Sequence, residues 1–412
     1  MCASLATLVA LLGAPAPAAP PAPDAPAPPA NTARTVTLSE VLAAAGQAPT
    51  HRAAQAHAKS AAAAVDAAGA FPPTTVSVGT SRLQARLVAG LQVPLPVFGR
   101  PWLAEDVASE ESSAARATAQ GQDLDLRHDV AVAWYALAHD QARAEVAVTQ
   151  AARAAQLAQV AHRRFDAGDA PRRDTVQADA AAARAEVEAG SLRAQVDATS
   201  ADLAALLGWD PVAPLRAGGG LPTRFPAAPA LESLTARLDA HPAVAAADAR
   251  VAAAEARVTA AARDWWPALS LGAEMEAFDP SLQGPDIRVT LNVDLPIFGG
   301  KAGATNAAAA EQTAAAAERD SLVSRALGNL VASYRRYQAA QQRALAVAQK
   351  VVPAAEDAAH LAEVAYQQGE GDLVSVLDAQ RALSDVQREW LDARLSAAMA
   401  LADLQRAAGG ET

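Results

Sequence analysis

The sequence predicts a mostly α-helical protein with a small β part, built from long antiparallel helical hairpins and four short strands per chain. Three observations predict this fold class. Alanine supplies 116 of the 412 residues, and alanine is the best helix former and small enough to let helices approach closely. One stretch of more than 60 residues lacks an internal proline, and short landmarks recur at an offset of about 200 residues. With only 4% aromatic residues, thick globular cores are excluded.

Charge and cysteine content exclude several classes of function. A net charge of -11 argues against nucleic acid as a partner and leaves no basic patch for anionic lipid. Cys2 is the single cysteine, so neither a disulfide framework nor a thiolate metal cluster is expected. The sequence contains no run of 18 apolar residues, so a membrane role would have to use strands rather than helices.

The N-terminal segment has the pattern of a secretory leader. A short apolar stretch over 5–13 precedes a Pro/Ala tract, which predicts a signal peptide at 1–19 and a spacer at 20–34. A low-complexity tail is the alternative, since no basic residue precedes the apolar stretch. Cys2 lies before that stretch, whereas a lipid-anchor cysteine would follow it.

An internal repeat organises the rest of the chain. The segment VPLPVFG at 93–99 recurs as VDLPIFG at 293–299, and FDAG at 165–168 recurs as YQQG at 366–369. Because the landmarks keep their order, we predict a duplication. Its halves are 35–208 and 230–409, joined by a Gly/Pro-rich linker over 209–229.

Each half is predicted to contain a helix, two strands and two long helices. The strands, at about 73–96 and 267–297, alternate apolar and polar residues over segments of about 10 residues. A tilted strand needs this length to cross a bilayer, although a soluble sheet with one wet face would give the same pattern.

Aromatic residues gather where the predicted strands adjoin helices. Six of the 16 aromatic residues fall there, as an interfacial girdle requires, although a core cluster would also gather them. The six are Phe71, Phe98, Trp102, Trp265, Trp266 and Phe298.

The long helices are predicted at about 101–166 and 171–208 in the first half, and at about 301–368 and 372–408 in the second. Apolar positions in the first helix step alternately by four and three residues, which is a coiled-coil seam with one polar break at Asp140. The seam positions are Leu126, Val130, Ala133, Leu137, Asp140, Ala144, Ala147, Ala151, Ala154, Ala158, Ala161 and Phe165. Helices of this length, returning at glycine turns, build rods or tubes.

This arrangement resembles the TolC-like outer membrane factor family, the exit ducts of Gram-negative efflux pumps and type I secretion systems. The resemblance covers about 35–409. Its most specific element is Tyr366-Gln-Gln-Gly369 followed by Ser375-Val-Leu-Asp378-Ala-Gln, which is similar to the family's tip motif; Phe165-Asp-Ala-Gly168 followed by Asp174 is a looser match.

The resemblance implies a homotrimer in the outer membrane with a large periplasmic part. Three chains would contribute four transmembrane strands each to a 12-stranded barrel, and the coiled-coil hairpins would continue it as an α-barrel. The implied partners are a periplasmic adaptor (membrane fusion) protein, an inner-membrane pump of RND or ABC type, and outer membrane lipid. No cofactor and no metal site are implied. Drugs, metal ions and proteins remain open as cargo.

The resemblance also implies a gate at the periplasmic tips. A carboxylate ring is expected at Asp378, with Ser375 where some members carry a second acid. Locking contacts are expected at Tyr366 and Asp174, and tight turns at Gly168, Gly369 and Gly371.

Two other functional classes compete with this assignment. An enzyme is disfavoured because the seven histidines are scattered and no Walker loop, nucleophile elbow or H-E-x-x-H motif occurs. A periplasmic trimeric coiled-coil scaffold or adhesin would share the alanine seams, but it would not need bilayer-length strand pairs in both halves.

Overall fold

The computed structural model of the chain describes residues 33–80, 87–263, 265–277, 286–295 and 301–410. The predicted signal peptide, most of the predicted spacer, and Phe298 lie outside them.

The first half begins with a short strand and ends with two long helices. In chain order its elements are β1 (Arg34–Val36), α1 (Leu38–Ala45), α2 (Pro49–Gly69), β2 (Thr75–Thr80), β3 (Leu87–Leu95), α3 (Arg100–Asp166) and α4 (Arg172–Leu207).

A short strand, β4 (Leu215–Ala217), lies between the two halves. The elements of the second half are α5 (Leu231–Thr235), α6 (Pro242–Arg263), β5 (Ala268–Ala277), β6 (Asp286–Asp294), α7 (Lys301–Ala346), α8 (Val352–Gln368) and α9 (Leu373–Ala407). The chain is thus mostly helical with small sheets, as the sequence predicts.

The seam predicted along α3 is the buried face of that helix. Among its twelve positions only Phe165 is exposed; the others are buried or half-buried. The helix has 67 residues and so extends about 100 Å at ~1.5 Å per residue. It packs against α2, α4, α6 and α9. Small seam residues allow these close contacts because an alanine methyl fills little of the space between two helix backbones.

A wide helical turn joins α7 to α8. Residues Val347–Val351 form a π-helical segment that ends two residues before Pro353. Proline lacks the N–H for an α-helical bond and its ring clashes with the carbonyl four residues earlier. The wider turn relieves that clash, so α7 and α8 form one long helical path with a local defect.

Four strands form one antiparallel sheet in the order β2-β3-β5-β6. The register sets Val76, Leu91, Ala273 and Val289 in one row across the sheet, and this face carries the exposed apolar side chains. The opposite face is polar; Gln92 Nε2 donates to Ser270 Oγ at 2.8 Å. This division follows from the alternation seen in the sequence.

None of the described helices combines the length and the apolar composition needed to cross a membrane.

A second, parallel pair of strands, β1 and β4, was not predicted from the sequence. β4 lies within 209–229, and this segment is bound to the long helices. The buried Arg394 donates to the carbonyls of Leu221 and Pro222, and Tyr337 donates its hydroxyl to Pro226 O at 2.6 Å. The segment therefore packs against α7 and α9.

Candidate functional site

The two hairpin turns at one end of the long helices have the same backbone. Gly168 and Gly369 have φ of 82° and 83°, in the left-handed region that favours glycine. Asp169 N donates to Arg164 O at 2.8 Å, and Glu370 N donates to Ala365 O at 2.9 Å. Each is the six-to-one bond of a Schellman motif. The predicted glycine turns are therefore where the chain reverses.

Gly371 serves the second turn differently. A Cβ at this position would lie 3.2 Å from Tyr366 N and 3.3 Å from Ala365 C. Both neighbours are backbone atoms, which have little room to move. The absence of a side chain thus permits the close approach of the returning chain to the end of α8.

Asp372 caps the helix that leaves the second turn. Its Oδ1 accepts from Ser375 N at 3.0 Å and from the Ser375 hydroxyl. These bonds favour the ionised carboxylate, so they lower the pKa of Asp372. Ser375, predicted as a possible gate position, thus takes part in an N-cap.

Asp378 lies on α9, nearly two turns beyond the capping Asp372. Its side chain is 64% exposed, and its Oδ1 lies 2.9 Å from Arg381 Nη1 in an i,i+3 ion pair. Within one chain it is therefore a solvated carboxylate beside a cation.

Tyr366 is buried between the two hairpins. It is 1% exposed, and its hydroxyl is buried without a hydrogen-bond partner among the described residues. It packs in a cluster with Leu157, Ala158, Ala161, Ala178, Leu373, Val376 and Leu377, which come from α3, α4 and α9. Burial raises the pKa of the phenol, Asp174 raises it further, and Arg164 opposes both effects.

Arg164 was missed by the sequence analysis and links the two tips directly. Its guanidinium lies 4.6 Å from the centroid of the Tyr366 ring, and Nη1 donates to Tyr366 O at 2.8 Å. Nη2 donates to Asp169 O at 3.4 Å. A basic residue in the last turn of a helix often binds terminal carbonyls, which was the available signal; here the carbonyl belongs to the other hairpin.

Asp174, the remaining predicted tip residue, is buried near the start of α4. It is 8% exposed, and its Oδ1 lies 3.5 Å from Arg173 Nε. The structure therefore brings Tyr366 and Asp174 to the same tip, but no hydrogen bond joins their side chains within the chain.

A groove of about 570 Å³ lies close to the tips. Residues of α3, α4 and α9 line it. Its walls carry both signs of charge, with Arg153, Arg184, Arg381 and Arg388 alongside Glu188 and Asp385. Among the described residues, no group of three His, Cys, Asp or Glu side chains is placed to hold a metal ion.

The predicted aromatic positions lie at the opposite end, where the sheet meets the helices. Phe71, Trp102, Trp265 and Trp266 are 60%, 63%, 50% and 44% exposed, and Phe98 is half-buried. Phe98 and Trp266 make an edge-to-face contact at 5.2 Å, and Arg100 Nη2 donates to Trp266 O at 2.7 Å. These contacts join the end of β3 to the start of β5. Most of the aromatic rings remain exposed at the surface.

Comparison with known proteins identifies the family. The profile of the family described as "Outer membrane efflux protein" matches residues 41–209 and 234–410. The chain belongs to this family. The resemblance predicted from the tip motif is thereby confirmed.

Similar proteins agree with this assignment. The chain is 28% identical to the cobalt-zinc-cadmium resistance protein CzcC of Cupriavidus metallidurans over 309 residues, which cover 74% of this chain and 72% of CzcC. The crystal structure of the outer membrane protein VceC of Vibrio cholerae has a TM-score of 0.75 at 23% identity, covering 90% of this chain and 96% of VceC. A structure of CusC gives a TM-score of 0.77 at 17% identity, covering 91% and 92%. These two structures show a shared fold.

The protein is therefore an outer membrane efflux protein with a large periplasmic helical part. The sheet with its exposed apolar face and the glycine turns lie at opposite ends of the long helices.

Proposed function

We propose that this protein is the outer membrane duct of a tripartite efflux system, a homotrimer that passively conducts small molecules or metal ions and is gated at its periplasmic tips. The family match over both halves of the chain carries this proposal. The same match favours a duct over the periplasmic scaffold or adhesin considered from the sequence, and over an enzyme.

The sheet supports a trimer. β2 and β6 are its two edges, and strand edges cannot remain unpaired in the hydrocarbon region of a membrane. Pairing β6 of one chain with β2 of the next closes a 12-stranded barrel from three chains. Matching Schellman turns in the two halves support an internal duplication as the origin of the four strands and two hairpins.

The tips support a gate. Arg164 and Tyr366 hold the two hairpins together within a chain. Around a three-fold axis, Asp378 would form a ring of three carboxylates, which attracts cations and repels anions. Arg381 reduces that charge, so the expected cation preference is moderate.

Divalent metal ions are the cargo we favour, because the relative CzcC is named as a cobalt-zinc-cadmium resistance protein. A strain lacking this gene should become sensitive to cobalt, zinc or cadmium and should be rescued by the intact gene. Sensitivity to drugs alone would point to a different cargo.

An adaptor and an inner-membrane pump are the expected partners, the pump being of RND or ABC type. Affinity purification of the tagged protein from crosslinked cells should recover both. Recovery of neither would contradict the tripartite assignment.

The gate proposal is tested by conductance in planar bilayers. Asp378→Ala should assemble normally but lose most of its sensitivity to block by divalent cations, because the carboxylate ring is removed. The matched control is Asp385→Ala, which breaks the same type of i,i+3 pair with Arg388 two turns further from the tip. Unchanged cation block in Asp378→Ala, or equal loss in both variants, would contradict a gate ring at Asp378.

A further inference from the structure

A buried histidine lies between the two hairpins with a carboxylate at each ring nitrogen. His139 on α3 is 6% exposed. Its Nδ1 lies 3.1 Å from Asp140 Oδ1, and its Nε2 lies 2.8 Å from Asp392 Oδ1 on α9. Both nitrogens are thus within hydrogen-bond distance of an acceptor-only group.

The same arrangement occurs a second time on the same two helices. His128 Nδ1 lies 3.0 Å from Asp129 Oδ1, and its Nε2 lies 2.8 Å from Asp403 Oδ1. The imidazole is largely buried, with 12% of the side chain exposed. In each case one carboxylate follows the histidine in sequence and the other comes from α9.

The two sites are in register along the antiparallel helices. His139 follows His128 by eleven positions, and Asp392 precedes Asp403 by eleven positions. They are therefore about 16 Å apart at ~1.5 Å per residue. Asp125 and Arg406, 3.7 Å apart, continue the same line. We call this line of contacts the α3–α9 seam; it joins the first hairpin to the second.

Hydrogen-bond chemistry distinguishes the two protonation states at these sites. A neutral imidazole has one N–H, so it donates to one carboxylate and turns a lone pair toward the other. An imidazolium donates from both nitrogens, and such charge-assisted bonds are about twice as strong as neutral ones. The geometry of the seam is the one that an imidazolium satisfies.

Other charged residues lie near the two histidines along the same two helices. Within α3 they are Asp125, Asp129, Asp140 and Arg143, and within α9 they are Arg388, Glu389, Asp392, Asp403 and Arg406. Neighbouring helices add charges through ion pairs: Glu188 of α4 lies 4.0 Å from Arg388, and Arg343 of α7 lies 3.0 Å from Glu389. Arg388 and Glu389 are thus engaged by other groups, while Asp140 and Asp392 are the carboxylates that contact His139.

We propose that the α3–α9 seam is a pH-dependent latch between the two hairpins of one chain. The latch tightens when the imidazoles are protonated, because each can then donate to both of its carboxylates, and it loosens as the pH rises. The proposal depends on the seam alone and holds whether or not the tips act as a gate.

A double-mutant cycle on the intact trimer in detergent tests the latch. His139→Gln, Asp392→Asn and the double variant are compared with the native protein by hydrogen–deuterium exchange of α9 peptides covering 388–400. Protection factors are corrected for the intrinsic pH dependence of exchange. We expect a coupling of about tenfold in protection at pH 5.5, falling to about threefold or less at pH 8.

His162→Gln with Asp179→Asn is the matched control. This pair also involves α3, but it is exposed, at 51% and 54%, and only Nε2 faces the carboxylate; its coupling should be small at both pH values. Coupling of His139 and Asp392 that does not change with pH would overturn the latch.

The isosteric Asp392→Asn variant alone gives a second test, because it changes no volume and removes one carboxylate. Its peptides over 388–400 should lose most of the native pH dependence. Native pH dependence retained in this variant would overturn the proposal.

Discussion

The two hairpin tips have the same backbone but different side-chain chemistry. Both reverse at a glycine in a Schellman motif, yet Phe165 at the first tip is 41% exposed while its counterpart Tyr366 at the second is 1% exposed. Asp372 caps the helix leaving the second tip, whereas α4 begins after Pro171 with no side-chain cap. The two tips thus share the same turn, but only the second tip places an aromatic ring in the buried contact between the hairpins.

Truncation of Tyr366 should give the largest difference between the tips. Tyr366→Ala removes a ring buried in contact with three helices and should destabilise the tip by about 3–5 kcal/mol, seen as a lower thermal midpoint and more frequent channel opening. The matched change Phe165→Ala should have a smaller effect on both measurements, since that residue is 41% exposed. Equal effects at the two positions would remove the distinction between the tips.

Tyr366→Phe refines this result. The hydroxyl has no hydrogen-bond partner among the described residues. Its removal should therefore change the free energy of unfolding by no more than about 1 kcal/mol, measured by thermal unfolding. A loss as large as that of Tyr366→Ala would instead assign the stabilisation to a bond made outside the chain.

Substitution of the turn glycines should affect both tips alike. Gly168→Ala and Gly369→Ala each force a Cβ into the left-handed region, at a cost of about 1–2 kcal/mol. No atom obstructs the added Cβ at either position, so only backbone strain operates. Thermal unfolding of the two variants should show similar losses, and Gly190→Ala within α4 provides the contrast because alanine favours helix there. Unequal losses at 168 and 369 would contradict a shared backbone.

Arg164→Gln should have a smaller effect on stability, located at the second tip. It removes the guanidinium from the Tyr366 ring and weakens the bond to Tyr366 O, which together contribute about 1 kcal/mol at a partly exposed site. Exchange of amides at 366–372 should rise several-fold. Arg163→Gln, one residue earlier and exposed, should leave those amides unchanged; a matching rise there would show a general charge effect.

Acid should selectively weaken the second tip through Asp372. Because its folded-state pKa is lowered, the carboxylate stabilises the cap above the unfolded pKa, and this contribution is lost as the pH falls through the lowered value. Native protein should therefore lose protection at the start of α9 below about pH 4, more than at the start of α4. Asp372→Asn should abolish that difference, and its persistence would exclude the cap as the cause.

Several features followed from residue pattern alone because they depend on local periodicity. The steps of three and four along α3 predicted its buried face, and Asp140, the polar break, is buried beside His139 and Asp392. The alternation in 286–294 predicted a strand with one apolar face. The glycines at 168 and 369 predicted the turns.

Other features depend on residues far apart in sequence. β1 and β4 are three residues each, too short for any pattern to reveal them, and they form because α3 and α4 bring them together. Tyr366 and Arg164 each look like an ordinary residue at the end of a helix, and their contact exists only once the two hairpins pack side by side.

For this protein, the sequence by itself determined the long alanine-rich helices, the strand pairs and the position of the turns, because propensity and periodicity act over a few neighbouring residues. Only the tertiary structure decided which tip carries the buried tyrosine, where the inter-repeat segment binds, and that two histidines of α3 meet carboxylates of α9. Those outcomes rest on packing and hydrogen bonds between residues more than 100 positions apart, where no local preference can act.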